Sequence, residues 1–478
     1  MRTSEYEQLD GLGIAALLKS QEVTPREVMQ CAIELAKTRG SQLNALCNER
    51  YEESLALADR AAIRGPFGAL PFVLKDSALS SIRFPSDVGS RLLKGLTFKF
   101  DATLTQRFET AGFIPFARST VPEFCMAPTT EAMANGGPTR NPWNLNHSAG
   151  GSSGGAAAAV AAGIVPIAHA NDGGGSIRIP ASCCGLYGLK PSRGLVPVGP
   201  ARGEGWGGLA AEGVISRSVL DTAAAMEEIA GYELGAPYAA PSRAESFVNI
   251  ASQGFASPLR IASCVTAWDD IAIAPDCVAA VRHTEQVLRS LGHVVEERPA
   301  PAIDYQKFID ALITLLASNV TATVNGVAKG RPMAEWHDRL EPAYLDAYRL
   351  GKSLSAEAYI AAINTFHGIG RRMEKYMRGY DLWLTPTLAQ PPVTLGTLSS
   401  NTDFRTFRQQ VARYTPFLAI INASGQPAAT VPMFWSSTGL PVGVQLVGHF
   451  GRDDLVVQLS AHLERAAPWA HRRPPLGP

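Results

Sequence analysis

Two periods of apolar and polar residues alternate along the chain, and the alternation predicts its elements. Thr24-Pro25-Arg26-Glu27 is a capping box with proline at the first helical position. Val28, Cys31, Ala32 and Leu35 then fall at helical spacing, so a helix is predicted to run to about Gly40. A second helical stretch covers about Tyr51 to Ile63. Gly65-Pro66 ends it, and the unbroken apolar run Leu70-Pro71-Phe72-Val73-Leu74 reads as a buried strand with Lys75 at its end. The exchange recurs downstream: helical Leu104 to Ala111 precedes apolar Phe113 to Phe116, and helical Ala156 to Ala162 precedes Ile164 to Ala168. A helix from about Ala274 to Leu291 lies between strands at Leu259 to Val265 and Val294 to Glu297. Such alternation predicts an α/β fold, a mixed, largely parallel central sheet covered by helices on both faces.

Gly231 to Pro258, rich in Pro, Gly and Ser with little periodicity, reads as a surface excursion within one domain spanning residues 1–478. Asp304 to Val327 and Ala356 to Met377 are the longest helical stretches and are expected to form a helical cap at about 304–378. Strands return at Ala428 to Pro432 and Val442 to Val447, followed by a helix through Leu455 to Leu463. No internal repeat is evident.

Composition narrows the function classes. In 478 residues, Lys plus Arg and Asp plus Glu are equal at 43 each, so no overall field favours nucleic acid or an anionic membrane, and a small-molecule partner is expected. Seven cysteines, an odd count without a CxxC pair, argue against a disulfide framework and a zinc ribbon. MRTSEYEQLD is polar and acidic where a signal peptide needs a basic and then an apolar segment. The apolar stretch Ala156 to Ala170 is short and interrupted by Gly163 and Pro166. A cytoplasmic location with no membrane and no nucleic-acid partner is the expectation.

The chemistry concentrates in Ser148 to Lys190, SAGGSSGGAAAAVAAGIVPIAHANDGGGSIRIPASCCGLYGLK, where two serines are framed by glycines. An isolated GGSSGG reads as readily as a flexible loop or phosphate cradle as it does as a catalytic segment. A P-loop, however, needs Lys-Ser or Lys-Thr after its glycines, and the dinucleotide GxGxxG spacing is absent. A helix from Ser153 to Gly163 would climb roughly 16 Å at about 1.5 Å per residue. A strand from Ile164 to His169 would return roughly 20 Å at about 3.3 Å per residue. That path can bring Ser152 beside Ser176. Asp172-Gly173-Gly174-Gly175-Ser176 can curl consecutive N–H groups around a developing oxyanion.

A serine hydroxyl needs a base before it attacks. His147 and His169 read as structural residues, because a triad also needs a carboxylate orienting the ring. Lys75 has the right setting: a lysine at a strand end is ordinarily a solvated charge, but burial behind Pro71 to Leu74 would lower its pKa from the free value of about 10.4. Asp172 and Arg178 flank Ser176 and read as a pair that shapes the loop.

Together GGSSGG, DGGGSIRIPA and the upstream PFVLKD resemble the amidase-signature family. NASGQPAATVP from Asn422 and GLPVGVQLVG from Gly439 resemble that family's C-terminal part, so the resemblance spans most of the chain. It implies cleavage of carboxamide bonds through a Ser-cisSer-Lys triad, with Ser176 as nucleophile, Ser152 after a cis Gly151-Ser152 peptide bond as proton bridge, and Lys75 as base. It implies oxyanion donors at the backbone of Gly173, Gly174, Gly175 and Ser176, and no metal or organic cofactor. Ala170-Asn171 stands where the family usually has Gly-Thr, which leaves the substrate class open. NPWN and LERAAPWAHRRP resemble bacterial hydrolases of the aminohexanoate (nylon oligomer) cyclic dimer. That likeness implies an open apolar acyl cleft for linear or cyclic amides, with anilides, carbamates or esters also within reach. Phe308 to Leu316 and Trp336 to Tyr348 are candidate lining segments, although such residues are more often ordinary core. A homodimer is compatible with the resemblance.

Two other readings stand beside this one. Gly150-Gly151-Ser152-Ser153-Gly154 also satisfies GxSxG, so a conventional esterase could use Ser152 with His449, His462 or His471. An amidase-like subunit of a tRNA-dependent amidotransferase would share the fold but act only with partners.

Overall fold

In the computed structural model of the chain, which describes residues 1–242 and 245–476, three strands form a small sheet. They are β1 (Leu46–Cys47), β2 (Leu70–Lys75) and β3 (Phe113–Ser119), in the order β1-β3-β2. β2 and β3 run parallel, with Lys75 opposite Ser119, and every residue of β2 is buried. Phe72 stacks on Phe113 with ring centroids 4.2 Å apart, so apolar packing fixes the strand that ends in Lys75.

Eight further strands make the large sheet: β4 (Ile167–Asp172), β5 (Tyr187–Lys190), β6 (Ala211–Ser216), β7 (Arg260–Ser263), β8 (Val294–Glu297), β9 (Leu382–Pro386), β10 (Ala428–Trp435) and β11 (Pro441–Gly448). Their order is β8-β7-β9-β11-β10-β5-β6-β4. The sheet is mixed, as expected, and helices flank it. The expectation of a largely parallel sheet is corrected: only β8/β7 and β7/β9 are parallel, and the other neighbouring pairs are antiparallel. The helix between β4 and β5 does return the chain in the same direction, but β6 comes back between those strands and pairs antiparallel with both. A tight turn, with Gly439 N–H donating to Ser436 O, likewise makes β10 and β11 a hairpin.

Three helices carry the site loops. α1 (Gly154–Ala161) is built from Gly, Ala and one Val, buried throughout, so it lies close against β2, β3 and β4. α2 (Arg178–Cys184) follows Ser176. α3 (Tyr305–Ala328) has the length and hydropathy of a bilayer span, yet Phe308, Leu312, Leu316, Val320 and Val324 are buried. Its packing partners are α4 (Pro342–Ser353), α5 (Ala356–Met377) and α6 (Phe404–Tyr414). These helices form a second apolar core beside the one under the sheets. The excursion Gly231 to Pro258 contains one short helix, Phe247–Ser252; its residues 243 and 244 lie outside those described.

Candidate active site

Ser152, Ser176 and Lys75 come from three separate segments: Ser152 contacts Lys75, and Ser152 and Ser176 line one cleft. Lys75 Nζ lies 2.8 Å from Ser152 Oγ. It donates to the side-chain oxygen of Asn171 at 2.6 Å and to the Asn171 carbonyl at 3.2 Å. Ser152 and Ser176 line the same cleft, with about 260 Å³ of interior volume, and Ser176 is 8% exposed. The Gly151-Ser152 peptide is cis. Glycine is required at 151 because a Cβ there would stand 2.6 Å from the Thr129 carbonyl oxygen.

Burial dominates the electrostatics of Lys75. It lowers the amine's pKa from the ordinary value, with the charges of Glu212 and Asp172 and the Cys125 thiol opposing it. The backbone N–H of Lys75 donates to His169 Nδ1 at 3.1 Å, which leaves the ring proton on Nε2, 3.0 Å from Glu212 Oε2. Burial lowers the pKa of His169. Both ring nitrogens are thus spent, which makes the imidazole a neutral spacer between β2 and β6, although Glu212 does supply the orienting carboxylate that the sequence context did not reveal. Glu212 Oε1 also accepts from Arg202 at 3.0 Å and from Asn171 Nδ2 at 3.4 Å, so Asn171 links a buried carboxylate to the lysine.

The glycine loop is organised by Asp172. Its carboxylate accepts the N–H groups of Gly175 (2.7 Å) and Ile177 (3.1 Å) and a paired contact from Arg178, through Nε at 2.9 Å and Nη2 at 2.8 Å. Burial alone would raise the pKa of this carboxyl, but the Arg178 charge and hydrogen bonds, with Asn422, hold it well below the usual range. Arg178 is held in turn by Gln445 Oε1 at 2.7 Å and Asn422 Oδ1 at 2.6 Å. The C-terminal segments around Asn422 and Gln445 thus reach the nucleophile loop through one guanidinium, and the pairing of Asp172 with Arg178 is structural as expected.

Gly175 departs from expectation. Its amide is already given to Asp172, which removes it from the oxyanion donor set, whereas the amides of Gly173, Gly174 and Ser176 donate to no group among the described residues. A Cβ on Gly173 would meet Trp206 Cε3 at 2.4 Å, so the Trp206 indole lies directly against the loop. Sequence reasoning singled out neither Trp206 nor Glu212, and it marked Asn171 only as a departure from the family's usual Gly-Thr, without placing it at Lys75. GEGWGG carries no periodic signal, although a tryptophan between glycines suggests an aromatic held by a special backbone, and Trp206 does have a φ of +52°.

Of the candidate lining segments, Leu312 and Leu316 reach the cleft, joined on the same helix by Thr323 and Val327. Trp336 and Tyr348 instead pack edge to face on each other. The histidines needed by a GxSxG esterase lie elsewhere: His449 is held by Glu374 at 2.7 Å and by the Tyr380 carbonyl at 2.9 Å, while His462 packs on Phe255 and His293. Among the described residues no group of three or more His, Cys, Asp or Glu side chains could hold a metal.

The sequence model of the amidase family matches residues 27–457. The 6-aminohexanoate-cyclic-dimer hydrolase of Pseudomonas sp. (strain NK87) is 34% identical over 484 residues, which cover 98% of this chain and 96% of that protein. Among solved structures, 6-aminohexanoate cyclic dimer hydrolase complexed with substrate superposes with a TM-score of 0.91 at 32% identity, over 98% of this chain and 99% of the other. A bacterial aryl acylamidase of the amidase signature family gives 0.87 at 28% identity, over 98% and 99%.

Proposed function

This chain belongs to the amidase family and hydrolyses amide bonds, and on that footing we propose that Ser176 attacks the substrate carbonyl while Ser152 relays its proton to Lys75. The observation that carries the assignment is the set of neighbours around Lys75 Nζ. Both Asn171 oxygens can only accept, so the two N–H groups of a neutral amine are spent on them. Its lone pair is left for the Ser152 hydroxyl proton. Burial of Lys75 lowers its pKa and so favours that neutral form.

The steps follow from those positions. The Ser176 proton passes to Ser152 Oγ as the Ser152 proton passes to Lys75, and the new C–O bond leaves negative charge on the former carbonyl oxygen. The amides of Gly173, Gly174 and Ser176 are the donors for it. Collapse breaks the C–N bond, and the proton on Lys75 returns through Ser152 to the departing nitrogen. Water then attacks the acyl-enzyme by the same relay, releasing the acid and restoring Ser176. Apart from that water and the substrate, the groups at work are side chains and backbone amides of this chain.

For substrates we assign small to medium amides with an apolar portion, linear or cyclic as the similarity to the cyclic-dimer hydrolase suggests. The larger lobe of the cleft supports this with Val88, Leu93, Leu96, Phe124 and Met126. Anilides, carbamates and esters fall within the same chemistry. In this reading helices 304–378 act as the cap, since Leu312, Leu316, Thr323 and Val327 present one helix to both sides of Ser176. A cytoplasmic location, supported by seven unpaired thiols, and a homodimer complete the proposal.

The decisive experiment is labelling with a fluorophosphonate followed by peptide mapping. An adduct on Ser176 is expected, and an adduct on Ser152 overturns the assignment. Release of amine from a simple anilide by the purified chain alone is expected too; a requirement for partner proteins would point back to the amidotransferase reading.

A further inference from the structure

The cleft has two lobes that share Gly173, Ser176 and Trp206, and an arginine stands in each. Arg202, in the larger lobe, is paired with Glu212. Arg408, on α6 in the smaller lobe of about 30 Å³, has no ion-pair partner among the described residues. It is 9% exposed, and Nη1 donates to the Met126 carbonyl at 2.9 Å. Its Nε is buried without a partner, and no acceptor meets Nη2 among the described residues. Burial lowers its pKa to about 10, opposed only by the phenols of Tyr344 and Tyr305.

Other buried arginines of this chain show what a satisfied guanidinium looks like. Arg118 donates to four carbonyl oxygens, those of Lys75, Leu79, Phe84 and Pro85. Arg178 meets Asp172, Asn422, Gln445 and the Leu418 carbonyl. A buried cation lacking such partners is costly unless something else completes it. The unspent groups of Arg408 are also the matching ones: Nε and Nη2 form the side edge of the guanidinium, whose parallel N–H bonds fit the two oxygens of a carboxylate. That edge belongs to a side chain lining the same lobe as the nucleophile and the oxyanion glycines.

We propose that Arg408 is a specificity-determining residue that binds a substrate carboxylate, so the preferred amides carry an acid group on whichever side of the scissile bond enters the smaller lobe. This rests on the amide-hydrolase reading and adds a chemical class to it.

The test compares charged and neutral partners on the purified full chain. Succinic mono-4-nitroanilide against butyric 4-nitroanilide places the acid on the acyl side. N-butyryl-4-aminobenzoate against N-butyrylaniline places it on the amine side. The wild type is expected to prefer one acid over its neutral partner by at least tenfold in kcat/KM. Arg408→Gln is expected to lose at least ten times more activity toward that acid than toward the neutral amide, mainly through KM. Arg408→Lys, which keeps the charge without the side edge, should fall between. Equal kcat/KM for acid and neutral partner in the wild type on both sides overturns the proposal without needing any variant to fold. An Arg408→Gln loss of the same factor on both substrates overturns it as well, and shows a structural role. If the wild type cleaves none of the four amides, the amide-hydrolase reading falls with it.

Discussion

Replacing Lys75 by methionine tests the proton relay at its end. The unbranched side chain fills nearly the same buried volume at the end of β2, so packing is kept while the amine is removed. What is lost locally is the donor to Asn171 Oδ1 and O and the partner of Ser152 Oγ. Leaving such acceptors unmet costs about 1–3 kcal/mol each, but removing an amine that burial already disfavours in its charged form returns part of this. The variant should therefore fold, with its midpoint in urea moved only modestly. Activity should fall far more. A positioned base contributes on the order of 10²–10⁴ in rate, or about 2.7–5.4 kcal/mol of the barrier.

Two assays are informative together: kcat/KM for a chromogenic anilide between pH 6 and 10, and the rate of fluorophosphonate labelling. In the proposed relay the neutral amine is the active form, so wild-type activity is expected to rise with pH through the Lys75 titration and then level. Burial places that rise below the range of free lysine. In Lys75→Met the rise should vanish together with the rate. Retention of more than a tenth of wild-type kcat/KM, or an unaltered rise with pH in the variant, would refute the relay.

Asn171→Ala should move the rise in kcat/KM to lower pH, because the amide oxygen at 2.6 Å stabilises the protonated lysine more than the neutral one; a pH profile that does not move shows that Asn171 has no hold on the base. Arg178→Met should cost about 3–5 kcal/mol of stability by urea unfolding, since it strands the buried Asp172 carboxylate. With its partner gone, burial raises the folded-state pKa of Asp172 above the unfolded value. The variant's deficit should therefore be larger at pH 8 than at pH 5, and a deficit that does not depend on pH argues against an uncompensated charge.

Much of this molecule follows from sequence because its signals are local. The apolar run before Lys75, bounded by Gly65-Pro66, reads as a buried strand, the Gly and Ala of 154–161 suit a helix packed close on all sides, and three glycines before Ser176 leave its loop backbone open. Those segments, with the family wording, point to Lys75, Ser152 and Ser176 as candidates for one site, and the structure puts Ser152 against Lys75 and in one cleft with Ser176. Strand direction was not legible, because alternation of helix and strand says which way a strand returns but not that β6 inserts between β4 and β5. Nor was the spending of the Gly175 amide on Asp172, which depends on how Arg178, Asn422 and Gln445 converge from distant segments. Asn171 at Lys75, Trp206 on Gly173 and Arg408 without a counter-charge among the described residues are facts of the same kind. Sequence alone determined the residue types at the site and the local backbone that presents them. Which hydrogen-bonding groups are already satisfied, and which stay open for a substrate, was decided only in three dimensions, because satisfaction depends on neighbours that the chain order does not reveal.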